Sequence, residues 1–528
     1  MRRIEVCGSG TFLFSLDSTP AGRETFTVAC NADGSISGTG RTVLQLPGGG
    51  ANADVETKLE LSSELIPRSV MVKGTAAGRE MDEKLVVNDS MATLTSAGRT
   101  QEIRFPKGAS WLGGNIYYSL ALILGRYDSK RGGTQKFPAF PVGELTITHT
   151  GRDSLNRVSF DRYTLNVAGS RVAVWIDSHG RMAVVAVPAA RFTAALEEYA
   201  LIASDLLEKA APSVSSDFYA APHGAPYTAE DVSIPVAGYT LAGTLTIPKT
   251  GSPPFPAAVL ISGSGLQDRD SRISISGLEN YRPFRQIADR LSREGVAVLR
   301  VDDRGSGKST GAETLAGVTT SGLAVDVRAE VAYLRTRSEV DATRITLIGH
   351  SEGASIAPMV AANDLRIAGI ILMAGVAKSG GEVSIEQQND LFLRDTTTTD
   401  AEKESLRAQQ REAVKTILSG GEVPGAPVNA WTREYFAYDP LVTIRQVRRP
   451  ILILQGGLDR QVAADHAALL AEAARKAGNG DVTVKVFPKL NHLFLVATSG
   501  AFAEYSSLES AIVGNDVLDA ITHWMKTH

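Results

Sequence analysis

Five residues limit the fold more than anything else in this 528-residue chain: Gly349, His350, Ser351, Glu352 and Gly353. They follow an apolar run, Arg344 to Ile348, and lead into an alanine-rich stretch with helical spacing. A G-x-S-x-G pentapeptide between a strand and a helix is a sharp elbow. Its two glycines let the backbone turn tightly, and the serine hydroxyl is lifted clear of the sheet at a helix N-terminus. A serine held there can act as a nucleophile. The same pentapeptide can be an ordinary strand-to-helix loop, so the rest of the chain has to supply the chemistry.

A hydroxyl needs a base to take its proton, and the base needs an acid to orient it. On this fold the expected chain order is Ser, then Asp or Glu, then His. Pro450 to Gln455 reads as a buried strand closed by Gly456 and Gly457, and Asp459 lies just past its carboxyl end. Val482 to Phe487 reads as a further strand, and His492 lies in the loop after it. The 33 residues between Asp459 and His492 leave room for one helix, Val462 to about Ala477, and that strand. Three strand ends then deliver Ser351, Asp459 and His492 to the carboxyl edge of one sheet, where ligands bind in open α/β folds. His350 adjoins the serine but points elsewhere on a tight elbow, and is read as packing beneath the turn. His466 is read as a surface or capping residue, and Asp465 as a rival acid set back inside a helix.

Acyl transfer also needs donors aimed at the developing oxyanion, each worth about 10² to 10³ in kcat. One is expected to be the N–H of Glu352. The other is expected in the loop after the apolar run Ala257 to Ile261, where Ser262, Gly263, Ser264 and Gly265 follow: Ser264 is favoured, Gly265 is next. A plain flexible turn is the alternative.

Five segments together carry a resemblance: Ile261 to Asp270, Val301 to Ser309, Gly349 to Gly353, Tyr438 to Pro440 and Gln455 to Val462. They resemble the α/β-hydrolase esterases of the bacterial esterase D type, serine carboxylesterases related to the acylaminoacyl-peptidase catalytic domain. The resemblance covers about residues 225 to 528. It implies Ser351, Asp459 and His492 as a triad, a small-molecule ester as substrate, and no cofactor. An exopeptidase or amidase is the alternative within the same fold, and a non-catalytic binding or scaffold protein the alternative from another class.

Two other motifs invite readings that fail. Gly307, Lys308 and Ser309 suggest a phosphate-binding loop, but the spacing requires glycine at 302 and the residue is Asp302. Asp268, Arg269 and Asp270 suggest a metal site, yet no histidine or cysteine is near, and an ion-paired cluster is the better reading. No metal site is expected.

The expected fold class is α/β: an α/β-hydrolase fold, a mostly parallel sheet wrapped by helices with a helical cap insertion, preceded by an antiparallel β-rich N-terminal domain. The boundaries read 1–209 for the β-rich domain with a connecting helix, 210–226 for a linker, and 227–528 for the catalytic domain, with the cap at about 376–438. Pro188 to Lys209 is expected to be that helix, with Phe192, Leu196, Tyr199 and Leu206 buried. Within the cap, Asp400 to Leu418 reads as a helix. Leu391, Phe392, Trp431, Tyr435 and Phe436 are candidate pocket residues, unless they only form the cap's own core.

A net charge of −4, from 54 basic and 58 acidic residues, points to neither nucleic acid nor an anionic membrane. Cys7 and Cys30 allow at most one disulfide. The first residues are too short and interrupted for the apolar core of a signal peptide, and no run of 18 apolar residues occurs. The expectation is a soluble protein, cytoplasmic by default and exported if a leader once preceded this sequence. For the N-terminal domain three roles stand open: narrowing the entrance, forming a homodimer, or binding a polymer or lipid.

Overall fold

In the N-terminal region buried side chains recur at every second position. Along Ala53–Leu61 the residues Ala53, Val55, Thr57, Leu59 and Leu61 are buried and those between are not, the period of a sheet with one face on a core. In the computed structural model this pattern extends over a 15-stranded sheet in which strands adjacent in sequence mostly pair antiparallel. The structure describes residues 4–16, 19–45, 52–76, 79–96, 99–113, 116–141, 143–156, 158–167, 170–210, 218–273, 275, 278, 280–311, 317–394, 399–421, 423 and 428–528. The chain divides into two compact units, Met1–Ser213 and Val214–Val423 with Val428–His528. The central part of the expected linker, residues 211–217, lies outside the described residues.

A short helix, Tyr118–Leu124, packs on the apolar face of the N-terminal sheet. Gly38 and Gly40 make room for it, since a Cβ on Gly40 would lie 2.6 Å from the Tyr118 ring. Glu24, fully buried, accepts the N–H groups of Tyr117 (2.9 Å) and Tyr118 (2.6 Å) and the Thr42 hydroxyl (2.8 Å). Burial pushes its carboxyl up to about 7. Cys7 and Cys30 are joined in a disulfide.

The helix expected over Pro188 to Lys209 is corrected. Only Ala203–Ala210 is α-helical, after a 3₁₀ turn over Glu197–Ile202. Phe192–Leu196 is a strand, paired with Gly8–Leu16 on one side and Met182–Val187 on the other. Arg191 at φ +47° breaks the chain ahead of it. Phe192 and Leu196 fit a helical stripe equally well; two unpaired strand edges, which no local pattern reveals, decide for the strand.

The second unit is built on an eight-stranded sheet. Its elements are β1 Tyr227–Val236, β2 Tyr239–Pro248, β3 Phe255–Ile261, α1 Pro283–Arg293, β4 Ala297–Val301, α2 Thr320–Leu334, β5 Val340–His350, α3 Gly353–Ala361, β6 Ile367–Met373, α4 Gly380–Arg394, α5 Asp400–Leu418, α6 Ala430–Ala437, α7 Pro440–Ile444, β7 Ile451–Gly456, α8 Asp465–Lys476, β8 Val482–Phe487 and α9 Asn515–Thr527. The strand order is β1-β2-β4-β3-β5-β6-β7-β8. β1 and β2 pair antiparallel, as do β2 and β4, and the pairs from β4 through β8 are parallel.

Strands covered on both faces must be apolar throughout. In β3, Ala257, Val259 and Ile261 enter one core with α2, α3 and α8, while Ala258 and Leu260 enter the other with α1 and α9. Helices α4, α5, α6 and α7 lie between β6 and β7.

Candidate active site

The elbow is shaped by what its glycines exclude. A Cβ on Gly349 would lie 2.0 Å from the carbonyl oxygen of Gly353, and one on Gly353 would lie 2.3 Å from that of Ile261. Between them Ser351 sits at φ +56°, a left-handed conformation costly for a side-chain-bearing residue. It is held there by its own N–H on the Met373 carbonyl (2.8 Å) and its carbonyl under the Ala354 N–H (3.0 Å). Helix α3 then starts at Gly353.

Asp459 and His492 meet in the same way. Gly456 ends β7, and a Cβ there would lie 2.5 Å from the carbonyl oxygens of both Leu490 and Asn491. That contact brings the Asp459 loop against the His492 loop. His492 Nδ1 and Asp459 Oδ2 are 2.8 Å apart. The Asp459 carboxylate also accepts Gln455 Nε2 (2.9 Å) and the N–H groups of Gln461 and Val462 (2.9 Å each). Four donors fix the plane of the buried carboxylate, and the imidazole is held with its Nδ1 edge facing it. The His492 loop is fixed by Asn491, whose side-chain oxygen accepts the N–H groups of Leu493 (3.0 Å) and Leu495 (3.1 Å).

Ser351 and His492 line one cavity of about 420 Å³, together with Gly263 and Ser264. No hydrogen bond joins the Ser351 hydroxyl to His492 here; such bonds often close only when substrate is bound. A Cβ on Gly263 would lie 3.1 Å from that of Ser351, so the Gly263–Ser264 backbone runs beside that serine. Among the described residues the amides of Glu352 and Ser264 have no acceptor. Gly265, at φ +91°, does not line the cavity. The Ser264 loop is clamped by Asp303, which accepts the Ser262 hydroxyl (2.6 Å) and the Gln267 N–H (2.8 Å). Burial pushes the Asp303 carboxyl up to about 7.

His350 is not placed as a base. Its Nε2–H donates to the His492 carbonyl (2.9 Å), its ring lies 4.9 Å from the His492 ring, and burial pushes its pKa down to about 4. His466 differs from its expected surface position: it is fully buried, with Nδ1 accepting the Ala377 N–H and Nε2 donating to Glu386, each at 2.9 Å. Of the candidate pocket residues, Trp431, Tyr435 and Phe436 line the cavity. Leu391 and Phe392 do not: Leu391 is 65% exposed, and Phe392 lies under the Arg407 guanidinium. An apolar pair on α4 cannot report which way it faces when both neighbours in space come from elsewhere in the chain.

The loop after β4 excludes a phosphate in geometric terms. Asp302 fills the turn, accepting the Lys308 N–H (2.9 Å) and pairing with Arg269 (2.8 Å), while Lys308 Nζ pairs with Asp231 (3.1 Å). Arg300 and Arg282 both pair with Asp270, so this segment is an ion-paired scaffold. Among the described residues no cluster could hold a metal ion.

The sequence is 31% identical to esterase EstD of Thermotoga maritima over 301 residues, which are 57% of this chain and 68% of that protein. The chain belongs to the α/β-hydrolase esterases. It is a serine hydrolase of that family, and a family model described as "Serine aminopeptidase, S33" matches its residues 276–498. Solved structures similar to it include the esterase Pf2001 of Pyrococcus furiosus, 15% identical over 58% of this chain and 95% of that one, TM-score 0.37. Est1E of Butyrivibrio proteoclasticus with ferulic acid bound is another, 18% identical over 56% of this chain and 98% of that one, TM-score 0.37. Two side chains behind the cavity of this esterase lie in segments quoted from the sequence, but their contacts could not be read there. Gln455, four residues before Asp459, and Asp303 beneath the Ser264 loop are buried polar partners that become visible only once strands are paired.

Proposed function

We propose that this esterase is a serine carboxylesterase in which His492 deprotonates Ser351 and Asp459 orients His492. Ser351 attacks the ester carbonyl, the N–H groups of Glu352 and Ser264 receive the oxyanion, and His492 returns its proton to the departing alkoxide. Water, activated by the same histidine, then releases the acid. The observation that carries this reading is the 2.8 Å contact of Asp459 with His492, which lines one cavity together with Ser351.

The cavity wall favours an ester over a peptide with a free amino end. Its described lining holds Gln267, Gln387, Gln461, Ser271 and Ser384 among apolar and aromatic residues, and no Asp, Glu, Lys or Arg. An aminopeptidase must compensate the charge of a free α-ammonium in a site that is largely desolvated; no carboxylate in this lining does so. In the same reading residues 1–209 form a separate domain, and the insertion bearing α4 to α6 is the cap over the site, its Trp431, Tyr435 and Phe436 forming one wall.

The test is hydrolysis of p-nitrophenyl esters from acetyl to palmitoyl beside aminoacyl p-nitroanilides, by wild type and Ser351→Ala. Turnover of esters that vanishes in the variant supports the proposal, and anilide turnover equal to ester turnover contradicts it.

A further inference from the structure

The residue after the nucleophile does more than offer an amide. Glu352 is 1% exposed, and a carboxylate is not buried without partners strong enough to replace water. Both of its donors meet at Oε1: the Thr320 hydroxyl at 2.6 Å and the Trp431 indole N–H at 2.7 Å. Oε2 is buried and has no hydrogen-bond partner.

Those two donors belong to different elements. Thr320 opens α2, and Trp431 lies in the first turn of α6, within the insertion. A second bond closes the triangle: Glu434 of α6 accepts the N–H of Ser321 (2.6 Å) and its hydroxyl (2.7 Å) at the N-terminus of α2, where a carboxylate also meets the positive end of the helix dipole. Elbow, α2 and α6 are therefore tied at one point. The Trp431 ring stacks on Tyr435, with centroids 4.8 Å apart and planes 11° apart, and both rings face the cavity. The Trp431 indole N–H donates to Glu352, so this one bond sets the position of an aromatic wall relative to the serine next to it.

We infer that the Glu352 carboxylate is a specificity-determining positioning residue: through Trp431 it fixes the Trp431–Tyr435 wall at the distance from Ser351 that selects the acyl chain. The inference rests on the carboxylesterase reading. A short acyl group reaches the oxyanion donors without meeting the wall, and a longer one is bound against it. Loosening the wall therefore changes the discrimination between acyl lengths, whereas any disturbance of the Glu352 amide acts on all esters alike and cancels in their ratio.

The experiment measures kcat/KM for p-nitrophenyl hexanoate and acetate in wild type, Trp431→Phe, Glu352→Ala, the double variant and Glu352→Gln. Trp431→Phe keeps a ring and removes the N–H; Glu352→Gln keeps an oxygen that accepts from both donors. The expected result is a hexanoate-to-acetate ratio lowered about tenfold in each of the first two, the loss of one hydrogen bond to a charged acceptor. The double variant should be no lower than the worse single, because both remove the same bond, and Glu352→Gln should recover most of the ratio. Ratios within twofold of wild type in Trp431→Phe, or single effects that multiply in the double, overturn the inference. If Glu352→Ala does not fold, Glu352→Gln and Trp431→Phe carry the test: a ratio near wild type in Glu352→Gln beside one lowered about tenfold in Trp431→Phe is the expected result, and a Trp431→Phe ratio within twofold of wild type overturns the inference. Absence of Ser351-dependent ester turnover in wild type would instead count against the carboxylesterase reading itself.

Discussion

Gly456 and Asn491 approach so closely that a Cβ on the glycine would lie 2.5 Å from the asparagine's carbonyl oxygen. One residue on is His492, and three residues past the glycine is Asp459, so the distance between His492 and Asp459 depends on the absence of a single methyl group.

Gly456→Ala should therefore push the His492 loop away. The expected outcome is a loss of about 100-fold in kcat/KM, the scale of a 1 Å misplacement, with about 1 to 3 kcal/mol of stability lost to overpacking. Gly480→Ala is the control, because nothing lies within 4 Å of a Cβ there and its φ is not positive. Paired ester kinetics and urea midpoints check both, and equal effects in the two variants would contradict the argument.

Asp459→Asn replaces one acceptor oxygen by an NH₂ group among four donors. The imidazole loses its reason to keep Nδ1–H toward residue 459, and the wrong tautomer presents N–H to Ser351. A fall in kcat of about 10⁴ with little change in KM is expected, read in a saturation curve with a short-chain ester.

Stability should carry two opposed pH dependences near the site. Asp303, raised from an ordinary 3.8 to about 7, is protonated in both states at low pH. As pH rises from about 4 to 7 only the unfolded chain ionises there, and stability falls by at most about 4 kcal/mol. His350, lowered from 6.5 to about 4, acts the other way. Between those values only the unfolded chain is protonated, so stability is lost, by at most about 3 kcal/mol, as pH falls. Relative to wild type, Asp303→Asn should gain in urea midpoint from pH 4.5 to 6.5, and His350→Asn should lose. Parallel midpoints across that range would refute both.

What the sequence showed of this fold follows its local signals. The strand from Ile451, the strand Val482–Phe487 and helix Asp400–Leu418 were legible because glycine, proline and period define them within a few residues. Phe192–Leu196 was not, because its apolar spacing suits a helix and its strand form is imposed by partners nearly two hundred residues away in one case. In the site, Ser351, Asp459 and His492 each stand at a strand end and could be read one at a time. Glu352 could be read only as a backbone donor; the bond from Trp431, 79 residues later, depends on where the insertion folds back. The same holds for His466, whose burial follows from Ala377 and Glu386 reaching it from the other side of that insertion.

The central claim is that Ser351 is the nucleophile. Treating the protein with a fluorophosphonate and locating the adduct by peptide mass spectrometry tests it most directly. One adduct on Ser351, formed in step with the loss of ester hydrolysis and absent from Ser351→Ala, is the predicted result. Labelling at another residue with the same loss of activity, or full hydrolysis by Ser351→Ala, would contradict it.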